Sequence, residues 1–116
     1  MPYSESLAER IRQRLSRRKG IEEKKMFGGI GFLLNGNMSV GIWQNSLIVR
    51  LDSDYAEDAL AKPHVKEFDI TGRPMQGWIM VEPGGVDSDQ ELSEWIKQSL
   101  EFVETLPAKQ KEKKGK

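Results

Sequence analysis

Apolar residues recur along the chain at two distinct spacings, and each spacing predicts its own kind of element. Leu7, Ile11 and Leu15 stand four apart, the stripe of an amphipathic helix that packs by one narrow face. Ser6 followed by Glu9 reads as the capping box that opens it, each side chain satisfying a free amide of the first turn. Gly20 is the expected stop, with Ile21 folding back as the apolar contact of that cap. From Ile30 the period becomes two, first Ile30, Phe32 and Leu34, then Met38, Val40 and Ile42. Asn35-Gly36 between these runs predicts a two-residue hairpin turn, because both turn positions require positive φ. Gln44-Asn45-Ser46 turns the chain again into Leu47-Ile48-Val49-Arg50-Leu51, which completes three antiparallel strands.

In the second half, Asp52 or Ser53 caps a short helix running to about Lys62, with Tyr55, Ala56, Ala59 and Leu60 inward and Pro63 ending it. Val65 to Ile70 reads as a fourth strand, Thr71-Gly72-Arg73-Pro74 as a loop, and Gly77 to Val81 as a fifth strand. Ser88 and Glu91 form a second capping box ahead of Leu92, Trp95, Ile96, Leu100, Val103 and Leu106, with Phe102 widening the stripe and Pro107 closing it. The order α-β-β-β-α-β-β-α predicts an α+β two-layer sandwich, helices covering one face of an antiparallel sheet. Residues 1–107 are expected to form a single domain and 108–116 a disordered Lys-rich tail.

Composition narrows the chemistry. The 116 residues include no Cys, which excludes disulfides, thiolate nucleophiles and Cys-ligated metal sites. A single His rules out a two-histidine relay within one subunit. Lys plus Arg equals Asp plus Glu at 18 each, but the charge is segregated. Residues 1–50 carry nine basic against four acidic side chains, residues 51–106 four against thirteen, and residues 107–116 five against one. Such a chain is no uniform polycation for coating nucleic acid; a basic end and an acidic middle suit protein partners or self-association. No apolar run approaches the roughly 20 residues of a membrane span, and the N-terminus lacks the basic-then-apolar order of a signal peptide. The expectation is a cytoplasmic protein without membrane contact.

Few residue patterns point to catalysis. Gly28, Gly29 and Gly31 have the wrong spacing for a dinucleotide loop, since Leu34 stands where a third glycine is needed, and no Gly-Lys-Ser/Thr follows; strand glycines more often mark a bend or a close backbone approach. His64 follows Pro63 at a helix-to-strand junction and reads as a loop histidine. Asp52, Asp54, Glu57 and Asp58 suit the positive end of a helix and lack the glycine of a calcium loop. Arg10, Arg14, Arg17 and Arg18 lie mainly along one side of the first helix, a candidate basic strip for an acidic partner. Trp95 belongs to the last helix's core stripe. Trp43 and Trp78 sit on strands, and with helices on one sheet face only, an aromatic left on the other face suits a protein–protein or dimer contact. No catalytic residue, metal or cofactor is expected.

Several runs carry a resemblance. Lys24-Lys25-Met26-Phe27-Gly28-Gly29-Ile30, Asn35-Gly36-Asn37-Met38 and Leu47-Ile48-Val49-Arg50 are followed by Thr71-Gly72-Arg73-Pro74-Met75, Gly77-Trp78, Leu92 with Trp95, and Leu106-Pro107. In that order, over about residues 5–107, the chain resembles the N-terminal domain of the TfoX/Sxy family. The resemblance implies an α+β fold similar to secretion-chaperone-like domains. It also implies a relation to bacterial competence regulators, which act as transcriptional coactivators with the catabolite activator protein and carry a further C-terminal domain. It brings no catalytic residues, and it makes Met26, Phe27, Gly28, Gly29, Arg73, Pro74, Met75 and Trp78, together with Trp43, the candidate shared surface. The functional expectation is a non-enzymatic regulatory domain that binds a protein, such as transcription machinery, or forms a homodimer. Direct DNA binding by this domain alone is not expected. The alternatives are a nucleic-acid-associated coactivator using the Arg strip and Lys tail, or a small-ligand or anion sensor around His64, Asp69 and Arg73.

Overall fold

The computed structural model describes residues 4–26, 28–68 and 77–107. The first helix, α1, spans Glu5–Leu15 and is followed by strands β1 (Ile21–Met26), β2 (Gly29–Leu34), β3 (Asn37–Trp43) and β4 (Ser46–Arg50). Helix α2 (Ser53–Ala59), strands β5 (Val65–Glu67) and β6 (Trp78–Val81), a 3₁₀ turn at Pro83–Gly85 and helix α3 (Asp89–Val103) complete the chain. The six strands form one sheet in the order β1-β2-β3-β4-β6-β5, and every neighbouring pair is antiparallel. The architecture is therefore the expected α+β sandwich, with one further strand, β1, ahead of the meander.

Strand β1 escapes a periodicity reading because its sequence, Ile-Glu-Glu-Lys-Lys-Met, is charged on both faces. That composition suits an edge strand, where charge discourages pairing with foreign strands. Ile21 packs against the core, and Arg12 of α1 donates to both carboxylate oxygens of Glu23, at 2.8 and 3.1 Å. The hydrogen bonds to Glu23 raise the Arg12 pKa further above its ordinary value, so the clamp stays charged.

Turn chemistry fixes the register of the meander. Asn35 and Gly36 have φ of 54° and 86°, the two positive values a type I′ hairpin requires. Gln44, at φ 59°, turns the chain between the paired Trp43 and Ser46. The N-terminus is tied to this second hairpin by the Ser4 amide, which donates to Gln44 O at 2.9 Å. Ser4, not Ser6, caps α1, its hydroxyl accepting from Leu7 N at 3.2 Å. Its extended backbone supplies the cap geometry, whereas Ser6 already lies inside the helix and Glu9 reaches Arg12. Helix α1 ends at Leu15 with Ser16 as its cap, so Gly20 (φ +83°) serves the turn into β1 and not the helix end.

The core lies between the helices and one sheet face. Leu7, Ala8, Ile11 and Leu15 of α1 and Leu92, Trp95, Ile96 and Val103 of α3 are buried against Phe32, Val40, Ile42, Leu47, Val49, Ile79 and Val81. Each of the larger side chains contributes about 1.5–3 kcal/mol on burial. Helix α3 opens with the Ser88–Glu91 capping box and crosses β3 and β4. In α2, which Asp52 caps, Ala56 and Ala59 are buried while Tyr55 is exposed. A helix this short buries the single line drawn by positions three apart, and Tyr55 falls off it.

One irregularity resets a face. Phe32 pairs with Val40, yet Leu33 pairs with Met38, so Ser39 is the extra residue of a β-bulge. Asn37 and Ser39 are turned inward: the Asn37 amide donates to Pro107 O at 2.9 Å, and Ser39 meets the Ser99 hydroxyl of α3 at 2.7 Å. Ser99 in turn donates to Ser39 O at 2.9 Å. Met38, expected in the core set with Val40 and Ile42, is displaced by this bulge to the opposite face.

Candidate interaction surface

The sheet face turned away from the helices is built by the second residue of each alternating pair. Paired positions across it are Leu33 with Met38, Gly41 with Ile48 and Met80, and Arg50 with Trp78. Trp43, one residue beyond the inward Ile42, lies on the same side opposite Ser46. Both strand tryptophans therefore fall on this face, and both are half-buried.

The face has an aromatic end and an aliphatic middle. Trp78 packs at 47° against the ring of Phe68, centroids 6.1 Å apart, and the Arg50 guanidinium lies 5.4 Å from the Trp78 ring centre. That stacking holds a cation against a flat apolar surface. In the middle, Gly41 leaves a gap that the Met38 methyl occupies: a Cβ on Gly41 would stand 2.6 Å from Met38 Cε. Ile48 beside it is 2% exposed, although none of the described helices covers it. Leu33, Met38, Trp43, Trp78 and Met80 remain half-buried around that centre. Arg50 has no carboxylate partner among the described residues, and Glu22 and Lys24 of β1 lie on the same face opposite Leu33 and Gly31.

Only part of the surface expected from sequence falls within view. Gly28, Gly29, Trp43 and Trp78 are described, whereas the side chain of Met26 and all of Phe27, Arg73, Pro74 and Met75 lie outside the described residues, as do Asp69 and the Lys-rich tail. Gly28 and Gly29 have a backbone role: Gly28 has φ +76°, and a Cβ on Gly29 would sit 2.0 Å from Ile42 O. Leu33, Ile48, Phe68 and Met80 were not singled out from sequence. For Leu33, Ile48 and Met80 the signal was present as unbroken apolar triplets, Phe32-Leu33-Leu34, Leu47-Ile48-Val49 and Ile79-Met80-Val81, whereas Phe68 stands between Glu67 and Asp69. A strand with one wet face alternates; an unbroken run marks a strand with apolar contacts on both faces.

Arg10 and Arg14 lie on α1, whereas Arg17 and Arg18 follow its end at Leu15, so the four do not form one helical strip; they are turned mostly onto the protein itself. Arg10 donates to Val86 O at 2.9 Å and, with Arg14, reaches the Asp89 carboxylate at 3.2 and 3.0 Å. Arg14 also meets the Ser93 hydroxyl, and Arg18 pairs with Glu104 at 2.5 Å. These contacts fasten α1 and the residues after it along α3, and Arg17 alone of the four has no partner among the described residues. His64 stands apart from all of these, at a cavity on the helix side of the sheet. No helix among the described residues is long and apolar enough to cross a membrane.

Comparison with known proteins agrees with this architecture. The family model described as TfoX N-terminal domain matches residues 13–103, from the second half of α1 to the last residue of α3. No curated protein and no solved structure matches the chain. The match takes in all six strands, the Gly28-Gly29 turn, the open face and the α3 seam, and on that extent the chain belongs to the TfoX N-terminal domain family.

Proposed function

We propose that the chain is a non-enzymatic regulatory domain, of the type found in bacterial transcriptional coactivators, that binds a protein partner across the open face of its sheet. The observation that carries this reading is the half-buried apolar surface of Leu33, Met38, Trp43, Trp78 and Met80. Aromatic residues, Met and Arg are the side chains enriched at protein interfaces, and this face concentrates all three. Arg50 lies on the same face over Trp78, without an acidic partner among the described residues, which favours a partner segment that carries a carboxylate beside its apolar residues. A nucleic-acid contact through α1 is less favoured, because Arg10, Arg14 and Arg18 are engaged with α3 and the segment before it.

Site-specific photo-crosslinking in cells tests the reading. A crosslinking side chain at position 43 should give a discrete adduct that is lost on Met80→Asp, whereas the same group at Tyr55 on α2 should not. Equal adducts from both positions, or none from position 43, would refute the surface. An adduct with a second copy of the chain would replace the heterologous partner with a homodimer.

A further inference from the structure

On the helix side of the sheet, the residues between α2 and β5, the 3₁₀ turn and the first half of α3 line a solvent-open cavity of about 420 Å³, bordered among others by Lys62, His64, Glu91, Glu94, Trp95 and Gln98. The volume falls within the range of small-molecule sites, about 300–1,000 Å³. We propose that this cavity binds an organic cation, an ammonium or guanidinium group carried on a short aliphatic chain.

The lining is rich in acceptors that lack donors. Gln98 Nε2 donates to Glu94 Oε2 at 3.1 Å. Because a carboxylate only accepts, that bond fixes the amide orientation and leaves Gln98 Oε1 as an acceptor, buried without a hydrogen-bond partner among the described residues. A buried acceptor left unpaired is uncommon in native proteins; this one has no surface open to the cavity, and a ligand donor reaches it only if the half-buried Gln98 side chain turns. Glu91 uses one oxygen, Oε1, in the capping box with Ser88. Its other oxygen, like Oε1 of Glu94, accepts no bond among the described residues.

The cavity also shows where a cation sits. The Lys62 ammonium lies 5.3 Å from the Trp95 ring centre, over an indole held in place by its Nε1–H, which donates to Gly85 O at 3.3 Å. Lys62 is exposed and has no carboxylate partner among the described residues, so it is a displaceable occupant of a cation position on the ring. The opposite wall is rigid. His64 holds φ +68°, pinned by Glu82 N donating to its carbonyl at 2.8 Å. Its ring lies flush on the turn, where a Cβ at Gly84 would stand 2.7 Å from Cε1. Strained backbone that the surroundings over-determine is characteristic of binding sites.

The test uses the whole chain, ¹⁵N-labelled, titrated with n-butylammonium, n-butylguanidinium and, as an anion of the same length, butyrate. At least one cation should shift the Trp95 indole N–H and the Gln98 side-chain amide saturably, and butyrate should not. Trp95→Phe assigns the indole signal. Glu94→Gln should weaken binding about tenfold, by removing a charge-assisted acceptor, and Lys62→Met should strengthen it by removing the resident competitor. Both positions are exposed, so the fold survives either change, and dispersed spectra confirm it. No saturable shift with either cation, saturable binding of butyrate that Lys62→Met abolishes, or weaker cation binding in Lys62→Met would each overturn the proposal. The cavity lies on the other layer from Trp43 and Met80, so its failure and that of the protein-binding surface are separable.

Discussion

Replacing Gly29 with alanine should cost the domain far more stability than the same change at its neighbour Gly28. A Cβ at position 29 would lie 2.0 Å from Ile42 O and 3.1 Å from Ile42 C. Both atoms are backbone, so no side chain can swing aside; relief requires β2 and β3 to part beside the Ile30–Ile42 pair. Overpacking that side chains can absorb costs about 1–3 kcal/mol, which puts a backbone collision at or above about 3 kcal/mol. At Gly28 a Cβ meets nothing within 4 Å, and only the φ of +76° opposes it, a cost of about 1–2 kcal/mol. Asparagine tolerates that left-handed conformation, so Gly28→Asn should recover most of the loss while Gly29→Asn should not. Urea unfolding followed by tryptophan fluorescence reads these differences as shifts in midpoint at constant slope. A Gly29→Ala protein within about 1 kcal/mol of the parent, or a Gly28→Ala protein less stable than Gly29→Ala, would refute this account of the paired glycines.

Two further outcomes follow from the α3 seam. Ser99→Ala removes the buried bonds to Ser39 O and to the Ser39 hydroxyl and should destabilise by about 1–3 kcal/mol in the same urea assay; the double change with Ser39→Ala should cost less than the sum of the two single changes. Asp89→Ala, by contrast, should cost less than about 1 kcal/mol even though it releases two arginines, because the side chain is 71% exposed and such pairs are weak. Its cost should shrink further between low and moderate salt, as melting temperatures at the two ionic strengths would show.

The legible parts of the fold were those where local chemistry and tertiary structure agree. Asn35-Gly36 made its hairpin, Ser88 and Glu91 made their capping box, and the four-residue spacing in α1 marked the face that is buried. Illegible were features decided between elements. Strand β1 is held by its pairing with β2 and by Arg12 on Glu23, neither of which leaves a periodic trace. The bulge at Ser39 turned Met38 outward, and nothing local to Asn37-Met38-Ser39 announces it, because the bulge satisfies Ser99 sixty residues away. Of the arginine strip, only Arg10 and Arg14 lie on α1; Arg17 and Arg18 follow its end at Leu15. The engagement of Arg10 and Arg14 with α3 depended on how the acidic start of that helix docks, which lies beyond any single-segment pattern.

The same distinction explains why the open face looked unremarkable in sequence and yet carries the functional reading. Leu33, Ile48 and Met80 are the central members of apolar triplets, and a triplet viewed alone suggests only a well-buried strand. The described helices, however, are spent on the other face. Leaving Leu33, Met80 and two tryptophans half-covered is tolerable because the face partly closes on itself: Met38 lies over Gly41, and Arg50 covers Trp78. Methionine is the most adaptable of apolar side chains, and an arginine laid on an indole keeps its charge available at the edge of an apolar surface. A face covered by such movable side chains stays compatible with water when free, and it needs no backbone rearrangement to open onto a partner. That combination, more than any single residue, separates this surface from a stretch of core left bare.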